Sequence, residues 1–159
     1  MKTVLITGAA SGLGWALSQQ AFSLGHRVIM TDMNALLLAA RADALASQDP
    51  SRVSFHRLDV TDSGAITALV ALLKEKEGGL DVLINNAGIT HRSLADKTDI
   101  AVFRKVMAVD WQAPVEMAVA CLPLLKRSGG GIINIGSMAG WMPVLGRAGY
   151  CSAKSALSQ

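Results

Sequence analysis

Five short apolar runs punctuate the sequence: TVLIT (3–7), RVIMTD (27–32), RVSFHRLDV (52–60, the weakest), DVLINNAG (81–88) and GIINIGS (131–137). The four compact ones are rich in Val and Ile and bounded by Gly, Asp or Asn, the pattern of strands buried on both faces of a parallel sheet. Between them, helical spacing fills 12–25, 34–47, 62–77 and about 99–127. Strand alternating with helix predicts an α/β fold around a parallel sheet. The composition agrees: 51% of residues are apolar and 17% charged, richer in apolar residues than an average soluble domain. That suits a sheet covered on both sides, or a surface meant to be covered by something else. KEKEGG (74–79) and KRSGGG (126–131) read as solvated helix ends with glycine stops, because a strand begins directly after each. No linker or repeat divides the chain, so residues 1–159 are expected to form one domain.

The turn TGAASGLG (7–14) joins the first strand to the first helix. Backbone N–H groups that approach a phosphate cannot tolerate a side chain in the way, and Gly8, Gly12 and Gly14 remove it. The helix N-terminus then offers unpaired donors and partial positive charge to a pyrophosphate, and Ser11 adds a hydroxyl. The spacing is G-x-x-x-G-x-G, not the commoner dinucleotide fingerprint, so a tight turn without ligand is the competing reading. Asp32 tilts the balance. It ends the second strand, 24 residues after Gly8, where a carboxylate can accept from both hydroxyls of an adenosine ribose and repel a 2′-phosphate. No Arg or Lys follows at once, which favours NAD over NADP. A helix cap is the alternative role for Asp32, one that Asn34 equally fills. Asp59 reads evenly as a contact to the adenine edge or as part of the next helix cap, for which Thr61 and Asp62 are candidates.

These residues, followed by LDV (58–60), NNAG (85–88), Ser137 in IINIGSMAG and YCSAK (150–154), resemble the short-chain dehydrogenase/reductase family, in its subgroup of small cytoplasmic enzymes. The motifs run in the family's order across essentially the whole chain. The resemblance implies a Rossmann-type, doubly wound fold and a nicotinamide cofactor. It implies interconversion of a secondary alcohol and a ketone as small-molecule substrates. By position it assigns Gly8, Ser11, Gly12, Leu13 and Gly14 to the pyrophosphate turn, Asp32 to the ribose, and Asp59 and Val60 to the adenine side. It assigns Asn86, Ala87 and Gly88 to the sheet edge beside the cofactor, and Ser137, Tyr150 and Lys154 to the reacting triad, with Tyr150 and Lys154 also among the cofactor-binding residues.

The triad makes chemical sense. Hydride transfer from an alcohol requires a proton to move as well. A free phenol holds its proton to about pH 10, and a neighbouring ammonium stabilises the phenolate. Residues four apart on a helix share a face, so Lys154 is expected beside Tyr150 and within reach of the nicotinamide ribose. Ser137 is expected to hold the substrate oxygen and offset its developing charge. Asp110, in VMAVDWQAP, joins the candidate catalytic set as a departure, because the family usually has asparagine there. Asp lacks the amide donor and adds charge. Buried near Lys154 it holds that lysine charged; facing away, it leaves the proton relay short of a member.

A second departure concerns length. Family members continue with the rest of the last helix, further strands and a substrate lid, so the expectation is a fold truncated after its fifth strand and the start of the following helix. On that reading the chain is a catalytically weak or inactive dinucleotide-binding fragment, the alternative to a self-sufficient enzyme. GIINIGS would then form an apolar sheet edge, a hazard that pairing with a second copy relieves, and a homo-oligomer is expected.

Other classes fit poorly. The net charge is +3 and aromatics are 4%, without the basic clusters of a nucleic-acid binder. No stretch approaches a membrane-spanning length, and the start of the chain is too short in apolar residues for a signal peptide. Cys121 and Cys151 lack metal or disulfide spacing, which fits a reducing cytoplasm, and His26 and His56 carry no metal pattern. His91 reads as a solvated loop residue rather than one facing substrate. Trp141 and Met142 read evenly as substrate-pocket walls or ordinary packing. Cys151 is expected to turn away from the Lys154 face.

Overall fold

The structure is a computed structural model that describes residues 1–76 and 79–159. The glycine stop expected at 78, and the last position of the helix expected over 62–77, lie outside the described residues. Five strands, β1 (Thr3–Thr7), β2 (Arg27–Asp32), β3 (Val53–Arg57), β4 (Val82–Asn85) and β5 (Gly131–Asn134), form one parallel sheet in the order β3-β2-β1-β4-β5. The helices are α1 (Gly12–Ser23), α2 (Ala35–Ala46), α3 (Ser63–Lys76), α4 (Ile100–Met107), α5 (Ala113–Ser128) and α6 (Ala148–Leu157). This is a Rossmann-type doubly wound sheet, and its order reverses between β1 and β4.

Strand alternation sorts the core into two layers. Leu5 pairs with Ile29 and Leu83, and these pack on one side against Leu69 and Leu73 of α3 and Met117 and Leu124 of α5. Their neighbours Val4, Ile6, Val28, Met30 and Ile84 face the other side, against Phe22 of α1 and Leu38 and Leu45 of α2. Each such side chain contributes roughly 1.5–3 kcal/mol by leaving water. The strands are shorter than some of the apolar runs. DVLINNAG pairs only over 82–85 and GIINIGS only over 131–134, because the residues beyond leave the sheet to form loops at its carboxyl edge.

The single helix expected over 99–127 is three pieces. Between α4 and α5, residues Ala108–Gln112 form a π turn. The extra residue per turn changes which side chains face inward, and Asp110, at its centre, is 0% exposed. Asn34 caps α2, accepting from the Leu37 N–H, and Asp62 accepts from the Ala65 N–H at the start of α3. Both caps settle alternatives the sequence leaves open.

Strand β5 is one edge of the sheet, and β3 is the other. The residues of β5 are exposed, Ile133 by 49%. A second apolar patch lies on α5, where Val115, Val119 and Leu122 are exposed at helical spacing.

Candidate active site

A cleft of about 640 Å³ opens at the carboxyl ends of β1 and β4, where the strand order reverses. This is where open α/β sheets receive ligands. Gly8, Ser11, Leu13, Asp32, Asp59, Val60, Asn86, Ala87 and Gly88 all line it. Sequence reasoning missed Thr61, Ile89, Lys105 and Val109 on the same wall. The last two lie on α4 and the π turn, which carry no ligand-binding motif.

Gly8 and Gly12 have φ of +65° and +51°, a conformation that favours glycine, and a Cβ at Gly12 would meet nothing within 4 Å. Ser11 precedes α1 in extended conformation, with its side chain making no capping hydrogen bond. Its hydroxyl and the first N–H groups of α1 are thus available to an anion. Gly14 carries a further constraint. Neither it nor Gly12 is among the residues that line the cleft, and a Cβ on Gly14 would stand 2.0 Å from the Gly8 carbonyl oxygen. Glycine at 14 lets α1 pack on the turn.

The two sides of the cleft are fastened together. The Thr7 hydroxyl accepts from the N–H groups of Asn86 and Ala87, both at 3.0 Å. The Asn86 side-chain amide donates to the carbonyls of Thr7 (2.9 Å) and Gly8 (3.1 Å). Asn85 donates to Asn134 on β5. The tandem asparagines thus bind the loop after β4 to both of its neighbours.

At the far end, Asp32 accepts from the Ala10 N–H at 3.1 Å and the Asn34 N–H at 2.9 Å. Each carboxylate oxygen keeps a further lone pair for a hydroxyl. Arg41, brought to this turn from α2, is engaged by the Ala10 carbonyl (3.4 Å) and lies over the Trp15 ring, 5.0 Å from its centroid. Asp59 accepts from the N–H and hydroxyl of Thr61, which holds its carboxyl below the usual range. It stabilises its own loop and borders the cleft at once.

Helix α6 carries Tyr150 and Lys154 on one face. The ammonium lies 5.9 Å from the Tyr150 ring centroid, donates to the Ile135 carbonyl at 3.0 Å and stands 3.9 Å from an Asp110 carboxylate oxygen. The other Asp110 oxygen accepts from the Ile89 N–H at 2.7 Å. Of the two placements the sequence allows for Asp110, the structure has the buried one beside the lysine. Burial pushes its carboxyl above the usual range, against the opposing pull of the Ile89 N–H and the lysine charge. Burial likewise pushes Lys154 down, and Asp110 pulls it back up. Ser137 caps a short 3-10 turn (Met138–Gly140), accepting from the Ala139 N–H at 3.1 Å, so its own hydroxyl proton remains free to donate.

Ser137, Tyr150 and Lys154 do not wall the cleft itself; Gly88 connects Lys154 and Asp110 to it. A Cβ there would stand 3.7 Å from the lysine nitrogen and 3.6 and 3.7 Å from the two Asp110 oxygens. Trp141 is 77% exposed and, with Met142 and Cys151, borders a separate shallow depression rather than the cleft. His91 is exposed, lies 3.0 Å from the Ser93 hydroxyl and borders a small recess with Tyr150. Cys121 is buried in the core, its thiol pushed up to about 11. No described helix is long and apolar enough to cross a membrane.

The residues fit a dinucleotide, with an open glycine cradle at one end, a carboxylate at the other and enough volume between for a ligand of that size. Comparison with known proteins agrees. A family model described as short chain dehydrogenase matches residues 2–159. The chain is 38% identical over 165 aligned positions to the 2,5-dichloro-2,5-cyclohexadiene-1,4-diol dehydrogenase of Sphingobium indicum, covering 98% of this chain and 62% of that protein. A short chain dehydrogenase/reductase from Burkholderia phymatum, solved with NAD, superposes with a TM-score of 0.94 at 26% identity, over 99% of this chain and 56% of the other. An alcohol dehydrogenase from Thermococcus sibiricus, solved with 5-hydroxy-NADP, also gives 0.94, at 25% identity over 99% of this chain and 67% of the other. The chain spans about two to three fifths of the length of the curated relatives it matches, from 42% to 65%.

Proposed function

Because the chain belongs to the short-chain dehydrogenase family, we propose that it serves the NAD-dependent interconversion of a secondary alcohol and a ketone. The observation that carries this reading is the single cleft that joins a glycine cradle, a ribose-facing carboxylate and, through Gly88, the Lys154–Tyr150 face of α6. When bound, the nicotinamide supplies or accepts the hydride. The chain's own residues do the rest. Gly8, Gly12, Ser11 and the α1 N-terminus bind the pyrophosphate. Asp32 takes the adenosine ribose, Asp59 and Val60 flank the adenine, and Asn86, Ala87 and Gly88 shape the wall. Ser137 donates to the substrate oxygen. Tyr150 takes the proton in oxidation and returns it in reduction, and Lys154 supplies the positive charge beside it.

The relatives include proteins solved with either dinucleotide. NAD is preferred for this chain because Asp32 repels a 2′-phosphate. A soluble homo-oligomer in the cytoplasm completes the reading, supported by the exposed apolar faces of α5 and β5.

Fluorescence titration with NADH and NADPH tests it. We expect NADH to bind more tightly, and Asp32→Asn to narrow the gap by about tenfold or more. Failure to bind either nucleotide overturns the proposal. Binding without turnover on any secondary alcohol or ketone leaves a nucleotide-binding module.

A further inference from the structure

Asp110 breaks the rule that buried polar atoms find partners. Its side chain is fully buried, yet only one carboxylate oxygen is satisfied, by the Ile89 N–H. The other has no hydrogen-bond partner and lies 3.9 Å from the ammonium of Lys154, too far for a hydrogen bond but within an ion pair. Lys154 is itself 5% exposed. Isolated charges of this kind are expensive to bury, and losing one partner strands the other. The π turn brings Asp110 to this position, and Gly88 leaves the space beside both groups free of a side chain while lining the cleft.

We infer that Asp110 is the counter-ion that sets the protonation of Lys154, so that the two form one titrating unit that reaches the nucleotide cleft across Gly88. Asp110 is thus a positioning residue that acts through the lysine. The inference rests on the reading of Lys154 as the charge beside the acid–base tyrosine.

The surroundings leave few competing charges. From α6, Lys154 acts on Asp110 and Tyr150 lies on the same face. From the loop after β4 comes the neutral Ile89 N–H, and from the chain after β5 the neutral Ile135 carbonyl. Lys105, on the helix that leads into the π turn, acts on Asp59 rather than on Asp110. An asparagine at 110 keeps the shape and the acceptor for Ile89 but removes the charge.

The test is a nuclear magnetic resonance pH titration of the chain with isotope-labelled lysine, with the Lys154 signal identified by its loss in Lys154→Arg. In Asp110→Asn the Lys154 midpoint is expected to fall by about 1–3 pH units, the size of a close opposite charge. Asp43→Asn, which alters an exposed carboxylate on α2, leaves it unchanged. The same Lys154 midpoint in the chain and in Asp110→Asn overturns the inference. Should Asp110→Asn not fold, the unaltered chain decides the matter: the Lys154 signal must show a second inflection where the Asp110 carboxyl titrates, and its absence overturns the inference equally. NADH binding measured on the same samples separates the two readings. A shift without NADH binding keeps the counter-ion and discards the dehydrogenase; binding without a shift does the reverse.

Discussion

Replacing Tyr150 with Phe removes one hydroxyl and leaves the ring over which Lys154 lies. If that hydroxyl is the acid–base group, turnover should fall by about 10²–10⁴-fold while NADH affinity stays within a factor of two or so, since the phenol is not part of the cleft lining. Steady-state kinetics and fluorescence titration of the same variant check both halves. Asp110 yields a prediction about stability. Its folded carboxyl holds a proton above the ordinary value of 3.8, so the folded chain binds that proton more tightly than the unfolded one. The resulting stability is complete below 3.8 and is lost as pH rises through the folded value. Lys154, held below its ordinary 10.5, contributes stability above 10.5 that is lost as pH falls through its folded value. Urea midpoints of the chain, measured relative to Asp110→Asn, should therefore rise as pH is lowered from neutrality towards 3.8. A constant difference across that range contradicts the burial argument.

At the level of elements, β1 and β2 were legible to the residue, because each has a compact apolar centre, VLI in TVLIT and VIM in RVIMTD, closed at both ends by polar residues. The ends of β4 and β5 were not, since apolar or amide residues also build the loops beyond them. Periodicity over 99–127 shows one helix. A π turn changes backbone hydrogen bonding without erasing the apolar spacing on either side, so the inward turn of Asp110 was hidden in the sequence. The glycine turn was legible as a cradle, while the steric reason for Gly14 required knowing that Gly8 lies against it. The exposure of Trp141 and Met142 was likewise invisible to a pattern that sees only that they are large and apolar. The turn itself gives the next prediction. Gly14→Ala places a methyl group against the Gly8 carbonyl and the Asn86 amide, and the backbone must move. Destabilisation of about 3 kcal/mol is expected, read as a lower urea midpoint, with weaker NADH binding in the fraction that still folds.

For the molecule as a whole, the two core layers bury the apolar faces of the sheet, but apolar surface persists on α5 and along β5. Exposed edges and apolar helix faces invite association. Sedimentation velocity should show concentration-dependent self-association, and Val119→Lys, on the exposed face of α5, should weaken it at least several-fold without changing the urea midpoint by more than about 0.5 kcal/mol equivalent. A monomer at all concentrations contradicts the oligomer proposed above. The amide of Ile89 touches this wider picture from an unexpected direction. It belongs to the backbone that walls the cleft, and it donates to the carboxylate beneath α6. Its deuterium-exchange rate should therefore register both the arrival of a nucleotide and the ionisation of a side chain, a native sensor that needs no attached probe.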